Sequence, residues 1–231
     1  MTRDVETDGA AASESRAPAG RRGKPPRPRQ RTFYSVAYRG RATARGMRFL
    51  NKAEVFANGP PLTFQPPGFF ERGFVSYPVT PRFHLSKRFG RWPADIEEDG
   101  PYWLVTDRAK EVLSQLAPSD FAFMALDVEV DPGENPVKYW LCDIIRMTDA
   151  VDLERSQARV HKDRSGKDII EMTSATQLAF KENLLEGYRV FRLLANFTAI
   201  ICDKIFKDTV KAARLTGLRF KDLTLCQDGK L

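Results

Sequence analysis

The strongest constraint on the fold lies near the C-terminal end, where residues 189–225 read RVFRLLANFTAIICDKIFKDTVKAARLTGLRFKDLTL. The pattern predicts strand, turn, strand, helix, strand. Phe197 to Ile201 is a short apolar run, and Cys202-Asp203 supplies a small polar pair at which a helix can begin. Asp suits an N-cap because its carboxylate accepts from the orphan N–H groups of the first turn. Behind it Ile205, Phe206, Thr209, Val210 and Ala213 recur at helical spacing, while Lys204, Lys207, Asp208, Lys211 and Arg214 take the other face. Gly217 stands where a helix stop is expected, and Leu218-Arg219-Phe220 begins an alternating strand.

The same pattern occurs earlier. Trp103-Leu104-Val105 is a short apolar run, Thr106-Asp107 offers the cap, and Ala109, Val112, Leu113 and Leu116 repeat at helical spacing until Pro118. Phe121 to Leu126 then reads as an apolar strand. Asp107 is expected to correspond to Asp203, and Phe121 and Phe123 to Leu218 and Phe220. Two copies are too few for a solenoid, which needs about three repeats to bury its faces. The expectation is therefore an α+β fold, mostly antiparallel sheet with helices, containing a duplicated strand–helix–strand unit at about 103–126 and 199–224.

These two stretches carry a family resemblance. LVTDRAKEVL at 104–113 and FRLLANFTAIICDKIFKDTVKAARLTGLRF at 191–220 resemble the paired motifs of a family of bacterial immunity proteins. That family, of a myxobacterial type, belongs to polymorphic-toxin and contact-dependent competition systems. Thr106 and Cys202 stand where the family usually has Ser, and both replacements are small. PRFHLSKRFGRWPADIEEDGPYW and YWLCDIIRMTDAVDLERS also look like the family's connecting segments. The resemblance runs from about Phe33 to Leu225 and is most specific in the second half. It implies a role, the neutralisation of a cognate protein toxin encoded by an adjacent gene, and leaves the mechanism and the contact residues open.

The formal charge of +7 belongs to one end of the chain. Gly20 to Arg48 holds ten Lys or Arg and no acid, and residues 1–19 carry a net −2, which leaves 49–231 at −1. Residues 1–31 contain no aromatic side chain and are rich in Ala, Gly, Pro and Ser. Such a segment cannot bury enough apolar surface to offset its ordering entropy, so a disordered tail is expected, followed by a single α+β domain over 32–231. Clustered cations can displace counterions from nucleic acid or meet an anionic membrane. No aromatic residue interleaves RRGKPPRPRQR as stacking would require, and a solvated tail is the preferred reading.

Between these landmarks the signals are shorter. Thr32 to Tyr38 is a strand candidate, Arg48 to Phe56 a helical turn, and Val75 to His84 an extended stretch. Phe64, Phe69 and Phe70 sit in a Pro/Gly-rich loop and either fold onto the core, the preferred reading, or anchor a partner. Val137 to Met147 is strongly β-forming and is expected to pair with Phe121 to Val130 across Asp131-Pro132-Gly133. Ser156 to Val160 and Asp168 to Met172 flank a turn, HKDRSGK. Ser174 to Glu186 reads as a helix with Leu178, Phe180, Leu184 and Leu185 inward, ended by Gly187.

Recognisable catalytic chemistry is scarce. The chain has no phosphate loop, G-x-G-x-x-G, G-x-S-x-G or H-E-x-x-H. Cys142, Cys202 and Cys226 are odd in number and lack CxxC spacing, and His84 and His161 are the only histidines, so neither a disulfide framework nor a metal site is expected. Glu171 and Glu182 read as surface residues. Asp143, inside the most β-forming stretch, is either a buried hydrogen-bond hub, a catalytic acid, or a residue on a strand's solvent face. The last is preferred, because no second acid or His lies at partner spacing. No apolar run is long enough to span a membrane, and a cytoplasmic location is expected. The expectation is thus a cofactor-free, non-enzymatic toxin inhibitor that works by occlusion, with local acids such as Asp95 to Asp99 free to meet a basic toxin. Two alternatives remain: a nucleic-acid or membrane adaptor working through residues 20–48, and an enzyme reversing a toxin's modification.

Overall fold

The computed structural model describes residues 31–38, 46–56, 72–74, 77 and 79–224. Most of the basic Gly20–Arg48 segment lies outside these residues, as do Phe64, Phe69, Phe70 and Cys226. In chain order the strands are β1 (Phe33–Tyr38), β2 (Met47–Phe49), β3 (Arg82–Leu85), β4 (Ile96–Asp99), β5 (Tyr102–Thr106), β6 (Phe121–Ala125), β7 (Asp127–Val130) and β8 (Tyr139–Ile144). They continue as β9 (Met147–Thr148), β10 (Val151–Gln157), β11 (Arg159–Lys162), β12 (Asp168–Glu171), β13 (Gln177–Phe180), β14 (Val190–Leu193), β15 (Asn196–Asp203) and β16 (Leu218–Asp222). The helices are α1 (Lys52–Phe56), α2 (Asp107–Leu116) and α3 (Lys204–Ala212). None is long and apolar enough to cross a membrane.

Two sheets organise the fold, ordered β16-β1-β15-β14-β9 and β4-β5-β8-β6, with a β2-β3-β7 sheet and the pairs β10-β13 and β11-β12 beside them. Pairing is antiparallel except for β3 with β7 and β9 with β14, so the architecture is α+β and mostly antiparallel. Both stretches singled out in the sequence are strand–helix–strand, and they share a topology. β5 and β6 each run antiparallel to β8, so they are parallel to one another with β8 between them. β15 and β16 likewise flank β1. The central strand follows its unit in the first case and comes from the start of the described chain in the second.

Side-chain alternation explains why both sheets are covered on both faces. Trp103, Val105, Phe121 and Cys142 from one sheet, and Tyr34, Val190, Ile200 and Cys202 from the other, face a shared core that also takes Leu113 of α2 and Phe206 and Val210 of α3. Phe206 lies 6.4 Å from Trp103 and 6.3 Å from Phe121, ring centroid to centroid. Removing such a ring costs about 3–5 kcal/mol. The outer faces fill two smaller cores, Leu104, Tyr139 and Leu141 against Phe83 and Leu85, and Phe33, Ile201 and Phe191 against Val151, Ile170 and Phe180. Trp103 is fully buried, and its indole N–H donates to the Tyr38 hydroxyl at 2.8 Å. Burial pushes the Tyr38 phenol up to about 12.

The helix ends correct two expectations. Asp203 caps α3 by accepting from Phe206 N at 2.8 Å, whereas the cap of α2 is Thr106, accepting from Ala109 N at 3.2 Å. Asp107 is already inside the helix and accepts from the Trp140 indole at 2.9 Å, so the residue equivalent to Asp203 in role is Thr106. α3 does not run to Gly217. It closes with Arg214 in the left-handed region at φ 52°, with Arg214 N donating to Lys211 O at 3.0 Å and Leu215 N to Val210 O at 3.1 Å. Gly217 serves a different need: its φ is +110°, and a Cβ there would sit 1.8 Å from the Ile96 carbonyl oxygen.

Ser174 to Glu186 is not a helix. β13 pairs with β10, and a short 3-10 turn, Glu182–Leu185, follows. Leu178 and Phe180 are buried at strand spacing, with Phe180 4.6 Å from Phe33, whereas Leu184 is 48% exposed. Packing against a neighbouring strand overrides a weak helical period. The strand from Val137 to Met147 divides its neighbour as well: β6 pairs with β8, but β7 leaves for the β2-β3-β7 sheet.

Two residues of the α3–β16 connection, exposed Arg214 and buried Gly217, give opposite stability predictions. Arg214→Gly removes the left-handed penalty and raises the urea-unfolding free energy by about 0.5–1 kcal/mol. Gly217→Ala lowers it by about 2–3 kcal/mol through strain and the collision with Ile96. Equal midpoints for wild type and both variants would remove this account of the α3–β16 connection.

Candidate functional site

Three carboxylates tie the four-stranded sheet to the five-stranded one. Asp95, just before β4, accepts from Thr216 N at 2.9 Å, Thr216 Oγ1 at 2.7 Å and Arg108 Nη2 at 2.9 Å. Asp120, just before β6, accepts from Arg189 N at 2.8 Å and Val190 N at 3.3 Å at the start of β14, and from Arg146 Nε at 3.2 Å. Asp143, within β8, is the third. Asp203 adds a hub on the other side, where its Oδ2 takes Arg31 at 3.0 Å and Arg189 at 2.8 Å.

The structure overturns the solvent-face expectation for Asp143, which is 1% exposed. Its Oδ1 pairs with Arg72, its Oδ2 accepts from Gly73 N at 2.9 Å, and Arg192 of β14 approaches to 4.0 Å. Arg192 is itself buried and donates to the carbonyls of Phe197 and Pro101. Burial pushes the Asp143 carboxyl above its ordinary pKa, with Arg72, the Gly73 N–H and Arg192 pulling it back. Burial likewise lowers the pKa of Arg192. A carboxylate held this way fixes the spacing of two sheets. Arg72 lies 71 residues from Asp143 in sequence, so local spacing could not have shown the pairing.

The other candidates do not assemble into a catalytic set. His84 Nε2 and Ser86 Oγ both contact Asp131, at 2.9 and 2.5 Å, and Ser86 Oγ accepts from Arg88 N at 3.2 Å. Serine and histidine share one carboxylate here, so the three are not in the nucleophile–base–orienter order that activates a serine. The Ser86 bond holds the Asp131 carboxyl below its usual range, with His84 adding to it. Cys142 and Cys202 are buried and unbridged, and burial raises both thiols well above their ordinary pKa, away from the reactive thiolate. His161 and Glu171 are exposed, and Glu182 accepts from Arg31 N at 3.1 Å. Of the acidic run, Asp95 is engaged as above, and Glu97 is a buried bidentate partner of Arg91 at 2.5 and 2.7 Å. Those two are committed to the fold.

An open groove of about 990 Å³ lies on the far side of the five-stranded sheet, between β10, the β11–β12 hairpin and the turn from β14 to β15. Leu153 and Leu194, at 41% and 45% exposure, both line it. No local pattern marks this groove, since its parts come from four separate segments.

A model of the immunity protein family Imm11 matches residues 32–224. No curated protein matches the chain. Two outcomes test the clamps. Asp143→Asn leaves the buried Arg192 and half-buried Arg72 guanidinium groups with less compensation, and lowers the unfolding free energy by about 3–5 kcal/mol; a loss below 1 kcal/mol would contradict the clamp. For Asp95, burial alone would raise the pKa, but the bonds from Thr216 and Arg108 outweigh it and hold the carboxyl below its ordinary value. Its stabilising contribution is therefore present above the unfolded value of about 3.9 and is lost as pH falls through the folded value. Urea midpoints measured from pH 5 to pH 2 should fall more steeply for wild type than for Asp95→Asn, and parallel curves would refute this.

Proposed function

The chain belongs to the Imm11 immunity protein family, and on that premise we propose that it binds one cognate bacterial toxin and neutralises it by occlusion, without chemistry of its own. The family match across residues 32–224 carries the reading. The arrangement of polar groups supports the mechanism. Asp95, Asp120, Asp143 and Asp203 each spend their lone pairs on internal partners, and the described cysteines are buried thiols. Rigidity is what an occluding inhibitor needs, because a pre-organised surface loses little entropy on binding. A standard interface covers roughly 800 Å² on each partner, enough to close a toxin's active site or substrate channel. We assign this action to the cytoplasm, where an incoming toxin would meet its inhibitor.

Co-expression with each neighbouring gene identifies the toxin as the one whose lethality this protein suppresses. In titration with the purified toxin, inhibition should saturate at one equivalent. Toxin recovered from the complex by denaturation and refolding should regain full activity with unchanged intact mass. Complete inhibition at substoichiometric protein, or a mass change on the toxin, would instead establish enzymatic reversal or modification.

A further inference from the structure

β10 carries an unusual irregularity. Asp152 pairs with Ala179 and Gln157 with Gln177, so four residues of β10, 153 to 156, stand opposite the single residue Leu178. The bulge is closed from within. Ser156 Oγ donates to Asp152 O at 2.6 Å and accepts from Ala179 N at 3.0 Å, and Leu178 N turns to Leu223 O at 3.0 Å. These three ladder groups are thus satisfied while Leu153, Glu154 and Arg155 are exposed to solvent. Bulges of this kind re-aim side chains and collect beside functional sites.

The bulge places Leu153 in the wall of the groove that Leu194 also lines. An exposed leucine alone is ordinary; two from distant segments sharing one groove are less so. The far wall is anchored by Ile170 N to Ala195 O at 2.9 Å and Asn196 Nδ2 to Ile170 O at 2.8 Å. Five carboxylates and three lysines line the groove. On the hairpin side, Lys162 pairs with Asp168 at 2.7 Å, and Asp163 accepts from Ser165 N, Ser165 Oγ and Lys167 N. On the β10 side Asp152 is half-buried and pairs with Arg155 at 3.8 Å, while Asp149 and Glu154 are exposed, so the bulge's leucine sits beside two exposed acids.

We propose that this groove is the surface that seats the toxin, and that its occupant is a toxin segment carrying Lys or Arg beside an aliphatic or aromatic side chain. The proposal rests on the toxin-binding reading above. Charge complementarity selects the partner: the acids of β10 steer and orient a cationic segment, and Leu153 and Leu194 receive its apolar anchor. The bulged strand supplies this chemistry without drawing on a group that holds the sheets together.

The test uses the full chain and the toxin identified by co-expression. Leu153→Glu combined with Leu194→Glu should weaken binding by at least about 30-fold, and Asp149→Lys with Glu154→Lys should slow association by roughly 10-fold at low salt. Thermal midpoints should stay at the wild-type value, since all four positions are exposed. Leu184→Glu and Ile205→Glu, equally exposed but outside the groove, should bind as wild type does. Wild-type affinity in the groove variants overturns this proposal alone and leaves the toxin-binding reading standing. Failure of wild type to bind any co-encoded toxin overturns both. A groove variant that changes the protein's own sedimentation, or a loss of binding reproduced by deleting residues 1–30, assigns the groove to a second copy or to the basic N-terminal segment, and also overturns it.

Discussion

The fold depends on the way two sheets that share an apolar core are held in one relative position. Apolar packing favours contact but does not by itself set orientation, because the hydrophobic effect is non-directional. Orientation comes from Asp95, Asp120 and Asp143, each on the four-stranded sheet or at its edge and each bonded to the neighbourhood of β14 or β16. Two of the three accept from backbone N–H groups of the opposing sheet, bonds that require a particular strand at a particular register. Gly217 belongs to the same seam, since Ile96 N donates to Thr216 O at 3.0 Å and leaves no room for a Cβ on the next residue.

That seam accounts for where function can reside. The carboxylates of Asp95, Asp120 and Asp143 are committed to holding the sheets. The β10–β13 and β11–β12 pairs lie outside the seam, where a bulge costs the core little. A rigid centre with an irregular, acid-rimmed edge is the arrangement on which the proposed toxin binding relies.

The two strand–helix–strand stretches were legible because their signals are local. Apolar residues at helical spacing marked α2 and α3, alternation marked β1, and a polar residue before each helix marked the caps. The cap of α2 shifted by one residue because Trp140, brought alongside by β8, claims the Asp107 carboxylate. The left-handed turn after α3 fell on Arg214 because the closing bonds from residues 214 and 215 stabilise it there, while the glycine was needed three residues later for a close approach.

The sequence by itself determined the alternation and periodicity of the elements, the location of net charge at one end, and the family motifs, because all of these are properties of neighbouring residues. Tertiary structure alone decided that Asp143 is buried, that residues 177–180 are a strand, and that Leu153 and Leu194 share a groove. Whether a polar side chain is buried depends on partners 49 to 71 residues away, here Arg192 and Arg72. Whether a short apolar run is strand or helix depends on which backbone offers it hydrogen bonds. Neither property is written in the residues beside it.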